Sequence, residues 1–226
     1  ATLNAILSWL PAAADRPFTA RDAEGAEVRR PVSETAPLAA FVWKTVADQF
    51  AGRITLFRVY QGVLTSDSTV RNVTRETDER LGSLMSMQGK TAVLVTEVRA
   101  GDLGAVAKLK DARTGDTLAG PKAGLTFAPM AVPEPVLSYA IEPKSRGDED
   151  KISTAMHRLE EEDGAIHYAR DPNTSELPLS GQGQLHIEVT VAKLKRRFGV
   201  EVLLKPPRIP YRETIKATAE GHGRHK

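Results

Sequence analysis

Pro129, Pro133 and Pro135 fall within seven positions, and the hydrophobic pattern changes type across them. Each proline fixes φ and removes a backbone donor, which disfavours helix and weakens any sheet ladder. The chain therefore predicts two units on either side of a hinge at Pro129 to Pro135, each folding on its own apolar pattern. Its 226 residues leave room for two small domains.

Before the hinge the apolar runs are short and rich in β-branched residues. Arg53 to Tyr60 is the clearest strand and ends at Gly62; Val63-Leu64, Val70 to Val73, Ala92 to Val95 and Ala105 to Leu109 come after it. Turn residues such as Ser66-Asp67-Ser68, Ala100-Gly101-Asp102 and Thr114-Gly115-Asp116 separate them. Many short strands with almost no helix predict a small all-β barrel or sandwich.

Beyond the hinge the pattern mixes helix and strand. Val136 to Glu142 reads as a strand, and Asp148 to Glu162 as a helix with Ile152, Ala155, Met156 and Leu159 on one face. Ile166, Tyr168 and Leu177, Leu179 mark two strands around the turn Asp171-Pro172-Asn173-Thr174. Gly183 to Phe198 is a second helix, expected to turn Leu185, Val189, Ala192 and Leu194 inward before Gly199 stops it. Val200, Val202 and Leu204 then alternate as a last strand. The order β-α-β-β-α-β is the split βαβ of α+β ferredoxin-like folds. Lys205-Pro206-Pro207-Arg208-Ile209-Pro210 forms a second proline boundary, and the segment from Tyr211 to Lys226 is too short to be a domain.

At the other end, Ala1 to Leu10 reads as a short amphipathic helix carrying Leu3, Ile6, Leu7 and Leu10 on one face, closed by Pro11. So short a helix is marginal alone, so that face is expected to pack onto something. Residues 12–36 show little periodicity and read as a linker.

Composition narrows the function classes. With no cysteine, disulfides and thiolate metal sites are excluded. No apolar run reaches the roughly 18 residues of a membrane span, and the first residues lack the basic start of a signal peptide; a cytoplasmic protein without membrane contact is the expectation. The net charge is +2, yet from Lys193 onward ten basic residues face three acids, while residues 1–192 carry 21 against 26. Lys193, Lys195, Arg196 and Arg197 crowd the end of the second helix, and Lys205, Arg208 and Arg212 lie beyond it. Helical spacing puts Lys193, Arg196 and Arg197 on one face. This edge suits an anionic partner, and with only Phe198 as a nearby aromatic, an RNA would be held by backbone and shape. The competing reading is that these cations face the acidic run Glu160-Glu161-Glu162-Asp163 or simply solvate the surface.

Motifs for catalysis fail on individual residues. Gly89-Lys90-Thr91 resembles the end of a phosphate loop, but Leu84 stands where the first glycine must be. Gly181-Gln182-Gly183 precedes a helix, yet His186 replaces the third glycine of a dinucleotide fingerprint. His186-Ile187-Glu188 mimics the start of a zinc deaminase signature whose cysteines are missing. His222 and His225 have no third metal ligand nearby in the sequence. An acylphosphatase-like enzyme needs an asparagine in a phosphate cradle, and Asn173 sits in a turn. No catalytic, cofactor or metal site is predicted.

Longer stretches carry a resemblance. Pro37-Leu38-Ala39-Ala40-Phe41-Val42-Trp43-Lys44 and Gly52 to Gly62, with Ala100 to Val106 and Thr114 to Leu118, resemble domain II of bacterial elongation factor G. Val132-Pro133-Glu134-Pro135-Val136 and Ala140-Ile141-Glu142-Pro143-Lys144 resemble the opening of its domain III, which Leu159 to Asp163 and Leu179 to Glu188 continue. Tyr211-Arg212-Glu213-Thr214-Ile215 resembles the start of domain IV. Two stretches depart: Met85 to Lys90 replaces the usual Met-His-Ala-Asn segment, and Gly164-Ala165-Ile166 replaces the common Pro-Thr-Phe. The terminal Ala219 to Lys226 is similar to a second, diverged type of elongation factor G.

The resemblance implies two domains: an all-β translation-factor barrel over residues 37–131 and a ferredoxin-like (βαββαβ) domain over 132–208. Residues 1–36 would be the closing helix of a GTPase domain plus a linker, and 209–226 a stub of domain IV. It implies a non-catalytic, monomeric, cytoplasmic middle piece of a ribosome-associated GTPase, without a cofactor of its own, the parent's GTP and Mg lying outside the chain. The implied partners are the ribosome, RNA and protein alike, and the parent's GTPase and later domains. Lys193, Arg196, Arg197, Lys205 and Arg208 are the expected ribosome-facing residues. Asp163 and His186 match positions where the family's domain III faces the GTPase domain and where the inhibitor fusidic acid binds; packing and capping of the second helix is the local alternative for His186. Translocation is the implied activity, with ribosome recycling, another ribosome-associated role or a stand-alone RNA-binding module as alternatives.

Overall fold

The computed structural model describes residues 2–48, 52–89, 91–121, 123–145, 147–211 and 213–225. Ala1 of the first helix, Lys90 of the rejected phosphate motif, and Arg212 and Lys226 of the basic end lie outside the described residues.

Period-two alternation builds the first domain. Helix α1 (Thr2–Trp9) leads to the hairpin β1 (Phe18–Arg21) and β2 (Glu27–Arg30), then β3 (Ala39–Asp48) and β4 (Gly52–Gln61). Shorter strands come next: β5 (Val63–Thr65), β6 (Thr69–Asn72), β7 (Thr77–Arg80), β8 (Leu84–Gln88), β9 (Thr91–Val95), β10 (Glu97–Arg99), β11 (Leu103–Ala107) and β12 (Thr117–Ala119). In β4 every second residue from Thr55 to Gln61 is buried. Eight strands join in the order β7-β6-β12-β3-β4-β11-β8-β9, and β5 pairs with β10. All these pairs are antiparallel, and inward residues such as Val42, Phe57, Val70, Val106 and Leu118 meet in one core, as a barrel requires. Strand β3 shifts register at Val42/Lys44, so Trp43 sits on a bulge and stays exposed.

The stretch 12–36 is not a bare linker. Strands β1 and β2 pair within it, Arg21 bridges to Thr126, and Phe18 and Ala20 enter a second apolar cluster with Ala39, Leu125 and Phe127. Phe18 and Ala20 alternate with exposed residues over four positions, too short a run for periodicity to stand out. Helix α1 forms as expected, but Leu3, Leu7, Trp9 and Leu10 remain exposed.

Two buried carboxylates fix the barrel's loops. Glu79, 2% exposed, accepts the backbone N–H of Lys110 (3.0 Å), Asp111 (2.7 Å) and Ala112 (2.8 Å). Asp116 accepts from Asn72 (2.9 Å), Arg75 (2.7 Å) and the Arg113 amide (2.9 Å).

The second domain comprises β13 (Leu137–Pro143), α2 (Glu149–Glu162), β14 (His167–Tyr168), β15 (Pro178–Gly181), α3 (Gln184–Lys193) with a π-helical turn over Leu194–Phe198, and β16 (Val202–Lys205). Its antiparallel sheet runs β14-β15-β13-β16, the ferredoxin-like order, and both helices share one core with it. The predicted face of α2 is buried at all four positions. In α3 the inward residues are Ile187, Thr190 and Leu194, whereas Leu185 (73% exposed), Val189 and Ala192 face outward, against expectation. The helix carries two apolar stripes, and only Leu194 of the predicted set lies on the buried one.

Candidate functional site

The residues singled out by the sequence meet where α2 ends and α3 begins. Asp163 caps α2, and its Oδ1 accepts the Ala165 amide at 3.1 Å. Its Oδ2 lies 3.0 Å from His186 Nε2, so the structure brings these two together. His186 Nδ1 accepts the Gln182 backbone N–H at 3.1 Å. A ring nitrogen that accepts carries no proton, so Nε2 holds it and donates to Asp163. A Cβ on Gly181 would come within 3.1 Å of His186 Nδ1, so the imidazole packs closely over this glycine. The histidine thus ties the glycine turn, the start of α3 and the end of α2 into one unit. Local packing accounts for its contacts within the chain.

The acidic run is divided among partners. Glu162, its side chain 10% exposed, accepts from Arg197 (2.7 Å) and pairs with Lys193 (3.4 Å). Its carboxylate also accepts the Ala47 amide of the barrel at 3.1 Å. Burial pushes the Glu162 carboxyl up, but the Arg197 and Ala47 hydrogen bonds and the charges of Arg197 and Lys193 outweigh this and hold it below the ordinary range. Glu161 pairs with Arg53 of β4 at 3.3 Å, and Arg53 also donates to the carbonyls of Leu109 and Lys110. The end of α2 is therefore a docking point between the two domains, while Lys193 and Arg197 face the acidic run as the competing reading of the basic edge had it.

This arrangement occupies most of the predicted basic edge. Lys193 and Arg197 face Glu162. Lys205 pairs with Glu142 (2.5 Å), and Arg208 with Glu176 (3.3 Å). Lys195 and Lys144 both pair with Glu201 at 2.7 Å; their hydrogen bonds and charges hold its carboxyl at about 2. Only Arg196 among the five candidates makes no ion pair among the described residues, and it is exposed.

A cleft of about 690 Å³ lies beside the docking point, lined by Trp43, Lys44 and Arg113 of the barrel, Met130 and Val132 of the hinge, and Glu160 of α2. The hinge itself is partly fixed: Gln182 Nε2 donates to the carbonyls of Pro133 (2.9 Å) and Glu134 (2.6 Å), and the Val136 amide donates to Gly181 (2.9 Å). Sequence reasoning did not single out Gln182, Glu79 or Asp116. Gln182 lay in the Gly181-Gln182-Gly183 motif, whose glycines drew the weight.

The molecule is an all-β barrel leading into a ferredoxin-like domain, docked through an acidic helix end. The family model described as Elongation factor G domain 2 matches residues 37–120, and Elongation Factor G, domain III matches residues 132–206. A crystal structure of a protein from Thermus thermophilus is 30% identical and superposes with a TM-score of 0.75, over 95% of this chain and 30% of that one. The chain belongs to the elongation factor G family and carries its domains II and III; it spans 30% of the length of that similar protein. Among the described residues, no helix is long and apolar enough to cross a membrane.

Proposed function

We propose that the chain is the non-catalytic, ribosome-facing middle of an elongation factor G-like GTPase that acts in translocation in the cytoplasm as a monomer. The observation that carries this is the order of the two family matches, domain II then domain III, within a 30% identical alignment covering 95% of the chain. Two open apolar helix faces support it: Leu3 and Leu7 on α1, and Leu185 and Val189 on α3 beside His186. In this reading neighbouring domains of a longer protein cover them, and GTP with Mg binds in one of those domains. Domain III, tied together by His186 and Asp163, passes the state of the GTPase domain to the barrel.

Two measurements test this. Incubated with GTP and Mg²⁺, the chain is expected to release no phosphate above buffer alone, and turnover would overturn the non-catalytic assignment. The full-length protein is expected to hydrolyse GTP faster with ribosomes and to move peptidyl-tRNA. Stimulated hydrolysis with subunit splitting and no movement would replace translocation with recycling.

A further inference from the structure

The arginines left without carboxylates point to a second place of interest. Arg53, Arg71, Arg75, Arg99, Arg197 and Arg208 are all engaged in ion pairs. Of the arginines without an ion pair among the described residues, Arg16 and Arg58 line one cleft of about 530 Å³ between the Leu10–Pro17 connector and the face of β4 turned away from the barrel core. Small-ligand sites occupy about 300–1,000 Å³. Leu10, Phe18 and Tyr60 supply its apolar wall.

Arg58 is held in place. Its guanidinium lies 5.3 Å from the centroid of the Tyr60 ring, and Tyr60 packs on Phe18 at 5.0 Å. Its Nε is buried and donates to nothing among the described residues. Buried donors almost always have an acceptor, so an orphan of this kind needs an explanation. On the hairpin, Arg30 lies directly opposite Phe18 and Arg29 opposite Thr19; neither lines the cleft.

We propose that this cleft binds a phosphate group, gripped by Arg58 and Arg16, with an attached ribose or base against Leu10 and Tyr60. Planar guanidinium forks match phosphate oxygens in geometry as well as charge. The phosphate has two sources, a free nucleotide or an RNA strand. The site stands whether or not the parent is a translocase.

Calorimetry of the 226-residue chain at about 50 mM salt, with GMP, inorganic phosphate and a short single-stranded RNA as probes, separates the outcomes. Binding of GMP, competed by inorganic phosphate, supports the nucleotide source; binding of RNA alone supports the strand. In either case Arg58→Gln and Arg16→Gln each weaken binding about tenfold, as the loss of one charged contact does, and Arg29→Gln does not, because Arg29 alternates onto the other face of the hairpin. For RNA the salt slope also falls by about 0.7 per arginine removed. No binding of any probe, or equal loss in Arg29→Gln, overturns the proposal. If Arg58→Gln melts early, Arg16→Gln, on the exposed connector, decides alone: unchanged affinity there overturns it.

Discussion

Glu79 shows how much a single buried charge can organise. Its carboxylate accepts three successive loop amides at 2% exposure. Glu79→Gln keeps the shape but turns an NH2 donor toward an amide donor, so a loss of about 2–3 kcal/mol is expected, read as a lowered midpoint in urea unfolding of the chain. Gly62 is constrained by backbone geometry instead: φ is +73°, and an added Cβ would lie 2.7 Å from Leu38 Cα. Gly62→Ala is expected to destabilise the barrel by at least about 2 kcal/mol, again by urea midpoint. Gly62 was legible in the sequence as the end of a strand, whereas nothing there marked Glu79. A charge in a string of residues carries no burial, and its partners lie 31 to 33 positions away.

Helix α3 marks the limit of periodicity as a guide. Amphipathic spacing identified a helix, but two apolar stripes compete, and the seating of His186 over Gly181 selects the one containing Ile187. Ile187→Ala is accordingly expected to cost about 2–4 kcal/mol, while Leu185→Asp changes stability by under about 0.5 kcal/mol; equal costs by thermal or urea unfolding would return Leu185 to the core. The basic residues obey the same logic. The π-helical turn over Leu194–Phe198 breaks the regular spacing that grouped Lys193, Arg196 and Arg197 on one face. Arg197→Glu sets a like charge against Glu162 and is expected to destabilise by about 2 kcal/mol or more. Arg196→Glu is expected to unfold like the unaltered chain, so ribosome binding by the full-length protein tests Arg196 alone for a contact role. By contrast α2 was fully legible, because it carries one apolar stripe and acids elsewhere.

At the scale of the whole chain, the change from an all-β pattern to an α+β pattern was legible, and the docking of the domains was not. The contacts made by Glu161 and Glu162 join segments about a hundred positions apart, beyond the reach of local pattern. Because the Glu162 carboxyl titrates below the ordinary range when folded, its contribution is present above about pH 4 and fades as the pH falls through the folded value. Thermal melts from neutral to acid pH should show this loss, and Glu162→Gln should abolish its own share of the pH dependence while lowering stability at neutral pH. The grip of Gln182 on Pro133 and Glu134 has a further consequence. It shortens the working tether to residues 128–132, with Phe127 already packed in the barrel's second cluster. Over so few residues the ends can separate by only about 3.5 Å each, so the domains meet at high local concentration and little chain entropy is lost when they do. Lengthening the tether with glycine and serine should then loosen the docking without altering a single contact, by about 0.6 kcal/mol for each doubling.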